Sequence, residues 1–380
     1  MADQNARWLL SSANWKTAPP NGFKGKKILG TGSYGIAGLW SYEGPADQAP
    51  PVQHVVVKQC SKSEYSLIGT DPYIEGKLLE ILSKIQSKHI LRMYGSLVRA
   101  IGSDGQEDIR LFLEYCPGGD LSCLLESGHD KIEAPRKALL EIDIWAMFYC
   151  LALGVAAIAR GTEDENAPAW NSNTEITHYD IKVDNIFLGY RDEDHPRYPI
   201  LKIADFSTAV EEPRVSLQND KTGYARVIAG DLSIRPPEAD PESAPLKNPR
   251  KGTTSNIYQI GCIVHCLITL TTKDFRSKKG GLKGMLNSLK RGGETQGADL
   301  DKREFKNLYS KTLRELVMRC MMREPLQRPG ALKLQIEVRK GFEAATAAAK
   351  KSNVFKDGGL TSIPMVGTAW PEPPTLMKTI

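Results

Sequence analysis

With 380 residues and 41% apolar content, the chain can bury a sizeable core, and its length leaves room for two or three domains. The net charge of +5 comes from 50 basic and 45 acidic residues spread along the chain, which excludes the concentrated arm of a nucleic-acid binder and names no partner. The cysteines are 7 in number and form no CxxC pair, a usage that fits a reducing compartment.

Residues 1–22 carry Asp3, Gln4, Asn5 and Arg7 and end in Pro19, Pro20, Asn21 and Gly22. They show neither apolar periodicity nor a run of signal-peptide length, so they read as a loose extension of an intracellular protein. From Phe23 to Tyr115 short β-like runs follow, among them His54–Lys58 and Ile109–Glu114, with one helical pattern at Ile74–Ile85. After Pro117, Gly118 and Gly119 the pattern becomes helical, at Ala138–Ala159, Ser255–Leu270 and Leu313–Met322. The longest apolar stretch is taken as Ile257–Leu270, too short to span a bilayer, and Cys262 and Cys266 within it read as core packing. Clusters at Gly161–Thr174, Arg191–Pro199 and Ala239–Gly252 read as surface insertions, and the proline-bearing residues 349–380 as an extended tail.

Gly30-Thr31-Gly32-Ser33-Tyr34-Gly35 fits GxGxxG, a phosphate-loop pattern that ordinary tight turns also produce. A dinucleotide fold would place a helix directly afterwards, whereas Ile36–Tyr42 reads as a strand. The run Val55-Val56-Val57-Lys58 ends a strand in a cation able to hold phosphate oxygens. A buried cation needs a counter-charge. Ile74, Leu78, Ile81, Leu82 and Ile85 define the apolar stripe of the next helix; at 100° per residue Glu75 lies at its edge and Glu80 nearly opposite. Glu75 is the expected partner.

His178-Tyr179-Asp180-Ile181-Lys182-Val183-Asp184-Asn185, followed by Asp205-Phe206-Ser207, resembles the HRDxKxxN loop and DFG segment of eukaryotic protein kinases, in the same order. Leu111–Leu121 looks like the hinge strand, Pro236-Pro237-Glu238 like the APE segment, and Arg328 like the late arginine that pairs with that glutamate. The resemblance spans Phe23 to Ala348. It implies a two-lobed α+β fold, with a small β-rich N-lobe (23–115), a hinge (114–119) and a larger, mainly helical C-lobe (120–348). It implies a monomeric Ser/Thr-type kinase using ATP and Mg2+ on a protein substrate, with no nucleic-acid or membrane partner. By the same resemblance Asp180 would deprotonate the acceptor hydroxyl, Lys182 steady the transferring phosphate, and Asn185 and Asp205 hold the metal. Gly30, Gly32, Ser33 and Gly35 would cover the phosphates that Lys58, paired with Glu75, would hold. Ala37, Val56 and Leu113 would pack on adenine, the backbone of Glu114 and Cys116 would meet its edge, and Asp120 would lie near the ribose. His178 would be structural.

Several residues depart from the family pattern. Tyr179 replaces the arginine that receives a phosphorylated activation segment, so activation by loop phosphorylation is not expected. Ser207 replaces a glycine and resists positive φ. Asp231 stands where a threonine is usual, either reaching Lys182 or reshaping the peptide site, and Asn256 replaces an aspartate whose backbone bonds an amide oxygen can still accept. Ala37 and Val56 invert the usual valine and alanine, a reciprocal exchange that preserves pocket volume. Because none of these removes a catalytic group, an active protein kinase is the leading reading. A pseudokinase scaffold and a small-molecule phosphotransferase are the alternatives.

Overall fold

A computed structural model describes residues 2–11, 22–32, 35–61, 72–101, 106–126, 138–170, 173–196, 198–214, 230–240, 250–272, 275 and 294–351. Helix α1 (Ala2–Ser11) precedes a five-stranded antiparallel sheet of β1 (Phe23–Gly32), β2 (Gly35–Tyr42), β3 (His54–Ser61), β4 (Met93–Ile101) and β5 (Gln106–Glu114), in the order β1-β2-β3-β5-β4. Helix α2 (Pro72–Ser83) lies between β3 and β4 in the chain. Opposed residues on neighbouring strands share a face. The pairs Ala37–Lys58, Leu39–Val56, Val56–Leu113 and Lys58–Leu111 therefore put these six residues on one face. Val55, Val57 and Phe112 take the other, in a separate apolar cluster with Phe23 and Trp40.

That outer face explains the first correction to the sequence reading. Residues 2–11 are not a loose extension: Trp8 and Leu9 pack on the outer cluster. The Trp8 ring stands edge-on to Trp40 at 4.9 Å, and its Nε1 donates to Gln59 Oε1 at 2.8 Å. Two aromatic rings covering a sheet face bury enough surface to hold a short helix that would not persist alone.

The C-terminal region comprises α3 (Cys123–Glu126), α4 (Glu141–Arg160), the two-stranded pairs β6 (Thr174–Thr177) with β9 (Val210–Pro213) and β7 (Ile186–Leu188) with β8 (Leu201–Ile203), then α5 (Thr253–Thr269), α6 (Arg303–Leu308), α7 (Lys311–Cys320) and α8 (Ala331–Lys351). Helix α4, rather than Ile257–Leu270, is the longest apolar element. By length and composition it alone among the described residues could cross a membrane, but 89% of that window is buried inside the fold, the position of a core helix. Cys262 and Cys266 are buried in α5, as core packing requires. The last helix runs to Lys351, past the expected end at Ala348. Residues 352–380 of the expected tail, and 241–249 of one expected insertion, lie outside the described residues. The result is a β-sheet unit followed by a helical unit, the two-lobed α+β arrangement expected.

Candidate active site

The cleft face of β3 presents Lys58. Its ammonium donates to both carboxylate oxygens of Glu75 on α2, each at 3.0 Å, and to Asp205 Oδ1 at 2.6 Å. Glu80 turns outward to Lys84 at 3.5 Å, as the helical stripe predicts. Two carboxylates thus share one ammonium. Burial opposes the charge on Lys58, yet Asp205 and Glu75 overcome it and hold the ammonium well above its ordinary range. Burial also works against Asp205, but the closer Lys58 contact prevails and the carboxyl falls to about 2. Glu75 is almost wholly buried, and burial lifts its carboxyl to about 6 against the pull of Lys58.

Asp180 stands between β6 and β7 with every oxygen engaged. Its Oδ1 accepts the Asp231 backbone N–H at 2.9 Å, and its Oδ2 accepts the Asn185 amide at 2.8 Å and lies 3.3 Å from Lys182 Nζ. Burial raises its carboxyl above the usual value. Asn185 Nδ2 donates also to the Asp180 carbonyl at 2.9 Å, which commits the nitrogen inward and leaves the amide oxygen as the atom able to accept or ligate. Lys182 reaches Asp231 Oδ2 at 4.0 Å, the first of the two roles open for Asp231, whose other oxygen holds Ser233 N at 2.8 Å.

The loop is fixed from behind. His178 is buried, with Nε2 donating to the Ala204 carbonyl at 3.0 Å and Nδ1 accepting the Asp180 N–H at 3.3 Å. Burial drives its imidazole down to about 4, so it stays neutral and shuttles no proton. Asn256 uses both ends of its amide, accepting His178 N–H at 2.9 Å and donating to the Ile176 carbonyl at 2.8 Å. Backbone strain falls on Tyr179 (φ 64°) and Asp205 (φ 61°). Ser207, a residue that resists positive φ, takes none and sits in the 3-10 turn Phe206–Thr208. Tyr179 is buried and donates to Glu212 Oε1 at 2.7 Å.

The expected nucleotide residues fall on the same sheet face as Lys58 and on the segment that follows β5. Gly30, Gly32 and Gly35 close the β1–β2 hairpin, with Gly32 opposite Gly35. Gly35 has φ 119°, and a Cβ there would meet the Gln59 carbonyl at 2.0 Å, so only glycine fits. Ser33 lies outside the described residues. Ala37, Val56 and Leu113 share the cleft face with Lys58. Along the hinge, Glu114 N donates to the Arg92 carbonyl at 2.9 Å and Gly119 N to the Cys116 carbonyl at 3.3 Å. Asp120 Oδ1 accepts the Ser122 N–H at 3.0 Å, shaping the turn that starts the C-lobe.

Three contacts were not anticipated from the residues: the Lys58–Asp205 bond, the Tyr179–Glu212 bond, and a buried Lys202 that lies 3.0 Å from Glu114 at the hinge. No local pattern announces them, because the partners lie far apart in sequence. The expected pair of Glu238 and Arg328 does form, bidentate at 2.7 and 2.8 Å and fully buried.

Comparison with known proteins agrees with this geometry. A protein kinase domain profile matches residues 23–337. Among similar curated proteins, serine/threonine-protein kinase Nek9 of Xenopus laevis is 24% identical over 309 residues, 80% of this chain and 26% of its own. Aurora kinase B-A of Xenopus laevis is 27% identical over 185 residues, 48% of this chain and 39% of its own. Lectin-domain containing receptor kinase VI.3 of Arabidopsis thaliana is 23% identical over 247 residues, 65% and 29% respectively. The chain thus spans well under half the length of these relatives. With the profile covering both lobes and the site residues converging on one cleft, the chain belongs to the protein kinase family.

Proposed function

We propose that the chain is a Ser/Thr protein kinase that transfers the γ-phosphate of ATP to protein hydroxyls. The observation that carries this reading is the convergence of Asp180, Lys182 and Asn185 on one loop with the Lys58–Glu75–Asp205 cluster facing it. Phosphoryl transfer asks mainly for positioning and charge neutralisation, and these residue types supply both. The kinase domain implies ATP with a divalent metal. The donors present fit Mg2+: the Asn185 amide oxygen and the Asp205 carboxylate are hard oxygens, and two carboxylates sharing one ammonium leave a surplus negative charge. Bound there, the ion would neutralise phosphate charge.

Asp180 accepts the proton that the substrate hydroxyl releases as its oxygen attacks. The bonds from Asp231 N and Asn185 Nδ2 aim the carboxylate, and its raised affinity for protons suits a base. Lys182, kept protonated by Asp180 and Asp231 in spite of burial, steadies the transferring group. Its place two residues after Asp180, together with the names of relatives such as Nek9, supports serine and threonine as acceptors. Tyr179 offers no cation to a phosphorylated activation segment, and the neighbouring Glu212 would repel one, so activity should not require loop phosphorylation. An intracellular location follows from the same substrate class.

The test is label transfer from Mg·[γ-32P]ATP to generic protein substrates, beside Asp180→Ala, with phosphoamino-acid analysis. Label on Ser and Thr that vanishes in the variant is expected. Thermal stabilisation by Mg·ATP without transfer under any condition would replace the reading with a nucleotide-binding scaffold.

A further inference from the structure

His89, Cys150 and His195 place one ligand atom each within 4.8 Å of one another. They come from three separate segments: the loop between α2 and β4, the middle of α4, and the loop between β7 and β8. His89 and Cys150 are buried. We propose that these three residues form a binding site for a borderline-soft divalent metal ion, Zn2+ being the one whose chemistry fits, and that the ion ties the loop behind α2 to α4.

The argument begins with proton accounting. His89 Nδ1 lies 2.9 Å from Glu163 Oε1, and His195 Nδ1 lies 2.7 Å from Asp192 Oδ1. An ionised carboxylate only accepts, so each Nδ1 must carry the hydrogen. In a neutral ring that leaves Nε2 as a bare lone pair. The two Nε2 atoms nevertheless face each other at 3.3 Å, with the Cys150 thiol beside both. Neutral rings would set two lone pairs against each other, so this pair needs a cation between them, either a proton on one ring or a metal ion. Nitrogens bound tetrahedrally at about 2.0–2.1 Å from Zn2+ stand about 3.3 Å apart, and a thiolate at about 2.3 Å lies about 3.5 Å from each. The histidine separation already matches, and the sulfur lies within 4.8 Å of both nitrogens.

The surroundings are those of a metal site. Metal-bound histidines commonly give their second nitrogen to a carboxylate, which fixes the tautomer and raises basicity. Both rings do so here, and the carboxylates are themselves held. Asp192 receives Lys88 Nζ at 2.6 Å and the His195 N–H at 2.8 Å, and Glu163 receives the Ser87 hydroxyl. Gly154, one turn beyond Cys150, lets the loop close on α4, since a Cβ there would meet the His89 carbonyl at 2.9 Å. That carbonyl accepts Ile203 N at 2.9 Å, two residues before Asp205. Three protein ligands leave a fourth position for water, and a thiolate with two imidazoles selects zinc-like ions over Mg2+ or Ca2+.

The test uses the full chain, stripped with a chelator and dialysed. Titration with Co2+ should give one equivalent of tetrahedral visible absorption together with a near-ultraviolet thiolate band, both displaced by Zn2+. Saturating Zn2+ should raise Tm by about 5 °C or more. His195→Asn lies on a loop and should fold as the parent does. It should lose the spectrum and the shift, while Cys150→Ser should lose the near-ultraviolet band and Asp192→Asn weaken Zn2+ about tenfold or more. Absence of the cobalt spectrum with no Tm response, or the same response in His195→Asn, would overturn the proposal and leave a proton as the bridging cation.

Discussion

Two of the buried ion clusters among the described residues use the same chemistry to opposite ends. In the helical region Glu238 and Arg328 are paired one to one, and every remaining donor is spoken for. Arg328 also donates to the carbonyls of Met322, Thr254 and Arg323 and lies 4.8 Å over the Tyr258 ring, while Ser255 donates to Glu238. In the cleft one ammonium, Lys58, serves two carboxylates, and the cluster opens toward solvent through the partly exposed Asp205. A closed, neutral cluster has nothing left to offer a ligand and acts as a clamp. An open cluster with surplus negative charge is stable only while Lys58 divides itself, and it gains most from a cation and a phosphate.

The comparison is broken most severely by Arg328→Met. It strands a buried carboxylate and should cost about 3–5 kcal/mol of stability, read as a lower urea midpoint at unchanged m-value. Mg·ATP affinity of the folded fraction should stay the same. Lys58→Met should do the reverse. Turnover over KM should fall by about 10²–10³-fold, and the stability loss should be smaller than in the Arg328 variant, because Glu75 and Asp205 can relieve their repulsion by taking up a proton.

How far the sequence foretells these clusters depends on the range of the contact. Glu75 is legible because Ile74, Leu78 and Ile81 fix the helix phase within one element, and Glu238 with Arg328 because both sit in the kinase resemblance. The Lys58–Asp205 bond spans 147 residues, and no local period encodes it. The docking of Trp8 is hidden for a related reason: its partners Trp40 and Gln59 belong to a sheet face that exists only after β1–β3 pair. Ser207 takes no positive φ in the turn Phe206–Thr208, and the left-handed backbone falls on Asp205, two residues earlier, which no residue pattern announces. Likewise His89, Cys150 and His195 lack any metal-site spacing along the chain, and three separate loops and helices have to assemble before they meet.

A gentler perturbation of the open cluster is pH. Glu75, lifted to about 6 from an ordinary 4.5, should become protonated as pH falls from 7 to 5, and Mg·ATP affinity should drop by up to about tenfold. Stability responds with the opposite sign. A carboxyl raised on folding contributes stability that is complete below its unfolded value and is lost as pH rises through the folded one. In this window the Glu75 contribution therefore grows as pH falls. Asp205, held at about 2, contributes stability above its ordinary range that is lost only as pH falls toward 2, outside the window. Calorimetric titration of wild type against Glu75→Gln cancels protonation of the nucleotide itself. A pH dependence equal in both proteins would move the titrating group elsewhere.

Of similar size is the effect expected on the apolar wall beside the cluster. Val56 and Ala37 lie on one sheet face, Val56 opposite Leu39 and Leu113, and Ala37 opposite Lys58. If valine and alanine are reciprocally placed, Val56→Ala alone opens the adenine slot and should weaken ATP about five- to twenty-fold. Ala37→Val added to it should restore most of the loss. Unchanged affinity in the single variant would show that the two positions do not share the nucleotide.

The smallest effect is expected farthest from both clusters, at the helix covering the outer sheet face. Trp8→Phe keeps an aromatic ring against Trp40 but removes the N–H that Gln59 accepts. Gln59 Oε1 retains Arg110 Nε at 2.8 Å, and its amide retains Asp108 at 2.9 Å, so no buried group is orphaned. The loss should be that of one satisfied hydrogen bond, about 0.5–1.5 kcal/mol, with kcat and KM unchanged. Gln59 follows Lys58 on β3 and points to the opposite face. A change in turnover without a change in stability would mean that the outer face communicates with the cleft through that strand, and the cover would then belong to the machinery of the site.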